Sequence, residues 1–256
     1  MPSKAIGFWR GFAAPFGAAR QLMSLPRAWP LMLVPAFVFG LLEGGIVLAS
    51  WHFVKPWVSG LLASDGRMDH VGVTAASWLA VGLVALVGWL IAGFLAPVLS
   101  APALERIVSL TETELGVPAR AKLSFVAEFW CGFRSLVMCS AVTLPLLLAL
   151  TLLEVLLPPA AAIATPLKLL LAALGLAWGL FDYPLTLRGI GARERFAFMR
   201  RHFPVVLGFG AAFSIVFMLP CCGLVMLPVG VAAATRLYWE IRARELSGAP
   251  SPRQLS

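Results

Sequence analysis

A short segment from Ser24 to Arg27 has residue types that bind anions. Pro26 is favoured at the first position of a helix and Ser24 lies just ahead of it, so we expect a helix to begin here. The first amide groups of a helix have no partner inside it, and Arg27 places a guanidinium beside them. These donors together favour an oxyanion. Ser24, Pro26 and Arg27 are therefore the candidate anion-binding residues; the alternative is that Arg27 binds lipid phosphate.

Four further ionisable residues lie inside apolar segments, where an unpaired charge is unfavourable. They are Glu43, Glu154, Lys168 and Asp182. Glu154 and Lys168 lie on either side of Pro158 and Pro159, so an antiparallel hairpin would hold them at similar depth. We expect a structural ion pair between them, and a place on an ion pathway is the alternative.

Glu43 and Asp182 each have two interpretations. Glu43 lies close to Gly40 and Gly44, so its helix face suits either tight packing in an oligomer or the lining of a water-filled crevice. Asp182 precedes a tyrosine and a proline, which indicates a carboxylate that caps the turn or pairs with Arg188.

Motifs for catalysis or metal binding are missing from the sequence. It contains no HExxH, GxSxG or P-loop pattern, and no pair of carboxylates spaced for acid–base catalysis. Its three histidines are scattered, and its four cysteines form no disulfide or metal-binding pattern. We therefore predict no catalytic residues, no metal site and no cofactor, and an enzyme is the least favoured class of function.

The elements that position these residues are apolar. Hydrophobic residues make up 60% of the chain, charged residues only 12%, and the mean hydropathy is +0.90. These values lie outside the range of soluble domains. The apolar runs are rich in Leu, Ala and Gly and lack the alternation of a membrane strand. The predicted fold class is an all-α integral membrane protein.

Six apolar helical segments are expected along the chain. Residues 29–53 and 71–104 are each long enough to cross a bilayer. Residues 136–157 and 167–181 form a hairpin that turns at Pro158 and Pro159. Two more segments share residues 203–235. Because these 33 residues are too few for two full crossings, we predict that the last hairpin is re-entrant.

The basic residues favour one side of the membrane. Of the 20 lysines and arginines, 17 lie before the first span, between the second and third, after the fourth, or after the last. The positive-inside rule then predicts an inner-membrane protein with both termini in the cytoplasm. The net charge of +8 reflects this bias and an attraction to anionic lipid headgroups; no separate basic domain suggests a nucleic-acid partner.

Surface helices and a tail complete the predicted organisation. Residues 1–27 mix aromatic residues with arginines and have no signal cleavage site, which predicts an amphipathic helix on the membrane surface. Residues 119–133 are a second candidate. The arginines of residues 188–201 are expected to anchor a helix at the interface. We predict one membrane domain over residues 1–246 and a disordered cytoplasmic tail over 247–256.

Several motifs resemble those of one known family. They are Leu25-Pro26-Arg27, Leu95-Ala96-Pro97, Phe181-Asp182-Tyr183-Pro184, Gly208-Phe209-Gly210 and Leu227-Pro228-Val229. Over most of residues 5–240 the chain resembles a divergent bacterial member of the CysZ and etoposide-induced membrane protein family. The resemblance implies two full spans, two hairpins that penetrate partway, surface helices and a homo-oligomer. For the CysZ branch it also implies sulfate uptake.

Two functional hypotheses follow. The first is a permease or channel for a small oxyanion, sulfate by the resemblance, which needs no cofactor. The second is a noncatalytic membrane scaffold, or a stress-related membrane protein, without transport activity. A lipid-active enzyme is a third class, but no polar constellation in the sequence supports it.

Overall fold

The computed structural model describes residues 7–64, 69–118, 125–217 and 220–248. All regular structure in these residues is helical, which confirms the all-α fold. The chain forms two compact units. One unit is Leu33–Pro102, and the other combines Met1–Met32 with Ala103–Ser256. We call them the two-helix unit and the multi-helix unit.

The two-helix unit contains the expected pair of long helices. Helix α2 spans Trp29–Ala49 and continues through a π-helical segment, Ser50–Val54, into α3, Lys55–Ser64. Helix α4 spans His70–Leu99. Its first turn is capped by Asp69, whose Oδ1 accepts a hydrogen bond from the Gly72 amide at 2.9 Å.

The multi-helix unit contains the remaining helices and the main core. In chain order they are α1, Phe8–Ser24; α5, Ala101–Glu114; α6, Phe125–Leu156; α7, Ala161–Thr186; α8, Ala192–Arg201; α9, Phe203–Phe217; and α10, Pro220–Gly248. A short 3-10 turn, Pro158–Ala160, joins α6 to α7 and confirms the predicted hairpin. Core side chains come mainly from α7, α9 and α10.

The lengths of the apolar helices support an integral membrane protein. Within the described residues, five stretches are long and apolar enough to cross a membrane, and α9 is a shorter apolar helix. The five are Pro26–Ala63, His70–Leu99, Val137–Leu156, Pro158–Thr186 and Gly223–Ser247. The six expected apolar segments are thus confirmed, while the re-entrant course of the last hairpin stays a prediction.

Several predicted boundaries differ from the structure. Helix α4 ends at Leu99, five residues early, because Pro102 lacks an amide proton and favours the start of the new helix α5. Residues 125–133, expected in a second surface helix, are the first part of α6, since no proline interrupts it before Pro145. Residues 119–124 lie outside the described residues. Helix α10 runs to Gly248, so the predicted tail loses its first two residues, and 249–256 are not described.

Helix α1 is amphipathic, as predicted, but its inner face packs against protein. The buried residues Gly11, Pro15, Ala18 and Leu22 follow the spacing of one helix face. At the crossing with α9 the two backbones touch. A Cβ atom added to Gly11 would overlap the carbonyl oxygen of Val205, and one added to Gly208 would overlap that of Phe8.

The Gly208-Phe209-Gly210 motif explains how α9 fits between two neighbours. Residues two apart on a helix point in nearly opposite directions. Gly208 faces α1, whereas a Cβ added to Gly210 would overlap the backbone of Ala173 on α7. Phe209 between them is fully buried, and its ring lies 5.2 Å from that of Phe181. The motif therefore permits backbone contact on both sides of α9.

We expect Gly11→Ala to lower the free energy of unfolding by about 1–3 kcal/mol, because the added methyl group forces α1 away from α9. Gly17→Ala on the same helix is the matched control: its Cβ meets open space, and the higher helix propensity of alanine stabilises by up to about 1 kcal/mol. Thermal unfolding in detergent compares the two. Equal effects of both substitutions would show that the α1–α9 contact does not contribute.

Candidate functional site

The predicted anion site lies where α1 gives way to α2. The new helix begins at Pro26, with the 3-10 turn Pro26–Ala28 leading directly into α2. Ser24 has a different place from the one expected: it is the last residue of α1, and its hydroxyl donates to the Gln21 carbonyl at 2.7 Å. Leu25 is the capping residue instead. Of the three candidates, Pro26 and Arg27 are at the helix start.

Arg27 presents its guanidinium at the surface of this turn. The side chain is exposed and forms no hydrogen bond or ion pair in the described part of the chain. The turn beneath it is well fixed, because Ala28 is fully buried and the Trp29 indole donates to the Met23 carbonyl at 3.1 Å. The free amides expected at this helix start are largely in use, because Pro26 has no N–H, the Ala28 amide donates to the Leu25 carbonyl at 2.9 Å and the Trp29 amide donates to the Pro26 carbonyl. The exposed guanidinium of Arg27 is therefore the group that suits an oxyanion, either a free solute or a lipid phosphate.

A second set of polar residues is buried where α6, α7 and α8 meet. Asp182 of α7 accepts hydrogen bonds from Ser135 at 2.5 Å, from Thr186 at 3.4 Å and from the guanidinium of Arg195. The Trp178 indole donates to the Ser135 hydroxyl at 3.1 Å, which extends the network along α7. We call these residues the Asp182 network.

Arg195 is the centre of this network, and its placement corrects two expectations. Its side chain is 1% exposed, so it is not one of the arginines that anchor a helix at the interface. It pairs with Asp182, which therefore does not pair with Arg188. The cause is the turn after α7: Gly189 has a φ of +67°, which positions the Ile190 carbonyl to accept a hydrogen bond from Arg195 Nε at 2.8 Å.

Arg188 has its own partners in the multi-helix unit. Its guanidinium donates to Glu112 of α5 at 3.0 and 3.1 Å and lies 4.5 Å above the ring of Trp239. The Trp239 indole donates to the same Glu112 oxygen at 3.3 Å. An arginine held by a carboxylate and an aromatic ring ties α5 and α10 to the end of α7.

The other three predicted polar residues are Glu154, Lys168 and Glu43, and they differ in their partners. The ion pair expected between Glu154 and Lys168 is present, and Thr165 donates to Glu154 at 3.0 Å. Glu43, in the two-helix unit, has a buried Oε2 with no hydrogen-bond partner among the described residues. A Cβ added to Gly40 or Gly44 would meet no atom within 4 Å, so their face of α2 is open.

Other side chains engage the arginines around one cavity of the described residues. This cavity has a volume of about 520 Å³ and is lined by α1, α10 and the turn after α5. Glu240 on its wall binds Arg10 and Arg244, each at 3.0 Å. Arg236 donates to Gln21. These arginines are structural partners, in contrast to Arg27. The described residues contain no group of three or more His, Cys, Asp or Glu side chains that could hold a metal ion.

Comparison with known proteins assigns the chain to a family. A model of the family described as sulfate transporter CysZ/etoposide-induced protein 2.4 matches residues 14–228. The chain belongs to this family. The match covers both units and includes Arg27, the Asp182 network and the glycines of α9.

Individual relatives in the CysZ/etoposide-induced family are similar over a shorter stretch. The sulfate transporter CysZ of Pseudomonas aeruginosa strain LESB58 is 36% identical to the chain over 77 residues. The protein of the same name from Pseudomonas paraeruginosa is 35% identical over 77 residues. The aligned stretch is 30% of this chain and 31% of each relative.

The sequence analysis did not identify three residues that form these polar contacts: Glu112, Ser135 and Trp178. Glu112 follows Leu104, Ile107 and Val108 on the buried face of α5, so a carboxylate on an apolar helix face was a signal available in the sequence. Ser135 and Trp178 gave no such signal, because a serine or tryptophan is unremarkable in a membrane helix. Only the packing of α6 on α7 brings them together.

We expect Arg195→Ala and Asp182→Ala each to lower the free energy of unfolding by about 3–5 kcal/mol, since each leaves a buried charge without its partner. The double variant should lose much less than the sum of the two. Arg193→Ala is the matched control on the same helix, because its side chain is exposed and unpaired in the described residues. Additive losses in detergent unfolding would contradict a direct interaction.

Proposed function

We propose that this protein is an inner-membrane permease or channel for a small oxyanion, with sulfate as the first solute to test. Family membership over residues 14–228 and the name of the similar Pseudomonas proteins support a transported anion. We further propose that both termini are cytoplasmic, as the distribution of basic residues favours. Arg27 is then on the cytoplasmic side.

The observation that carries this proposal is that Arg27 is exposed and has no carboxylate partner in the described residues. Two arginines with little exposed side chain in the multi-helix unit have carboxylate partners: Arg188 binds Glu112 and Arg195 binds Asp182. Arg27 has no such partner, so its charge is available to a solute. A single exposed guanidinium at a helix start binds an anion weakly, and conduction requires weak binding because the solute must also leave.

The buried ion pairs help indirectly to fix the position of Arg27. They hold the helices of the multi-helix unit in one arrangement, and Ala28 and Leu31 pack against the core that these helices form. The position of Arg27 is therefore set by packing rather than by a flexible loop. We propose that lipid and a second copy of the chain surround the exposed apolar faces of the helices.

We expect purified protein in liposomes to take up labelled sulfate, and Arg27→Gln to reduce the initial rate at low sulfate by about tenfold, the effect of one lost charge-assisted hydrogen bond. Arg20→Gln is the matched control, because Arg20 is also exposed and unpaired in the described residues but lies within α1. Labelled phosphate and chloride measure selectivity.

Two results would contradict the proposal. Liposomes with folded wild-type protein that take up none of the three anions would exclude transport and favour a scaffold. Uptake by Arg27→Gln equal to that of wild type would exclude Arg27 as the binding residue.

A further inference from the structure

Lys55, in the two-helix unit, has an unusual environment. Its Nζ lies 4.0 Å from the ring centroid of Trp51 and 4.5 Å from that of Trp78. The two rings meet edge to face, with centroids 5.0 Å apart. We call these three residues the aromatic cage. A lysine between two indoles is held in place by cation–π attraction, so little conformational freedom remains to be lost on binding a ligand.

A π-helical segment contains Trp51 and leads directly into Lys55. Ser50–Val54 widens the helix between α2 and α3, and the Lys55 amide donates to the Ser50 carbonyl across this wider turn. Trp51 and Lys55 are four residues apart, so their side chains lie one turn apart on the same face of the helix. The Ser50 hydroxyl is used within the helix, donating to the Ile46 carbonyl at 2.7 Å. Single π-helical turns are rare in proteins, and those that occur often lie at functional sites.

The cage contains hydrogen-bond donors but no acceptor. Lys55 has no carboxylate partner in the described chain, and neither cage indole donates its N–H to a described residue. Cation–π contact involves the ring faces and leaves ammonium N–H groups available. Trp51 and Trp78 are 46% and 48% exposed, so a solute can reach the cage. One positive charge with several free donors selects an anion with several acceptor oxygens.

The length of α4 locates the cage along the membrane normal. The 22 residues from Trp78 to Leu99 span about 33 Å at 1.5 Å per residue, close to the ~30 Å thickness of the hydrocarbon layer. From this length, and because tryptophan is enriched at membrane–water boundaries, we infer that Trp78 lies at such a boundary.

We propose that Trp51, Lys55 and Trp78 form an oxyanion-binding site at a membrane–water boundary of the two-helix unit. The ligand is a tetrahedral oxyanion: free sulfate or phosphate from solution, or the phosphate of a lipid headgroup. Lys55 supplies the charge and the indole N–H groups supply further donors. The site lies within one unit and its existence does not depend on transport.

Binding to the full chain in maltoside detergent tests the site. Sodium sulfate is titrated at constant ionic strength against sodium chloride, with tryptophan fluorescence as the readout. We expect a saturable change in wild type, an affinity about tenfold lower in Lys55→Gln, and near-normal affinity in Lys55→Arg. Trp78→Phe keeps a ring but removes one donor and should weaken binding several-fold. Trp57→Phe, an exposed tryptophan of α3 outside the cage, is the matched control and should leave the affinity unchanged.

A parallel titration with phosphatidylglycerol identifies the source of the anion. Sulfate binding that depends on Lys55 assigns the site to a free solute, whereas Lys55-dependent binding of the lipid alone assigns it to a headgroup. Equal affinities of wild type and Lys55→Gln for both ligands, with both proteins folded, would overturn the proposal. Arg27→Gln keeps the cage intact, so its sulfate titration should retain the Lys55-dependent signal even if no anion is transported.

Discussion

Backbone contact between α1, α9 and α7 is the constraint on which the multi-helix unit depends. Helix α9 has only 15 residues and is almost wholly apolar, so its surface must be covered by protein or by lipid. Gly11 and Gly208 allow α1 to touch it on one side, and Gly210 allows α7 to touch it on the other. Small residues at such crossings are how helices associate tightly in a membrane, where the hydrophobic effect does not distinguish a neighbouring helix from lipid.

The buried ion pairs connect the helices of this packed group. Arg195 joins α8 to the end of α7, and Arg188 joins that end to α5 and α10. Each arginine is paired with a carboxylate in a buried or half-buried position, which makes it costly to remove. Cations without carboxylate partners in the described residues are available for binding, and Arg27 and Lys55 are two of them.

The sequence was most informative where a local rule decides the structure. Apolar length predicted the six membrane segments, and the proline turn predicted the Glu154–Lys168 pair. It was least informative where a partner is brought by a remote helix. Asp182 pairs with Arg195 because the glycine turn at Gly189 rotates α8 toward α7, an angle that periodicity does not contain. Helix α1 has the same amphipathic pattern whether its apolar face meets lipid or α9.

Labelling from the lipid phase tests the enclosure of α9 most directly. A hydrophobic diazirine is photolysed in proteoliposomes, and the labelled residues are identified by mass spectrometry. We expect strong labelling of Ile215, which is 59% exposed, and of Leu41 and Leu83 in the two-helix unit. Phe209 and Phe213, which are 0% and 1% exposed, should remain unlabelled. Labelling of Phe209 as strong as that of Ile215 would contradict the packing of α9 between α1 and α7.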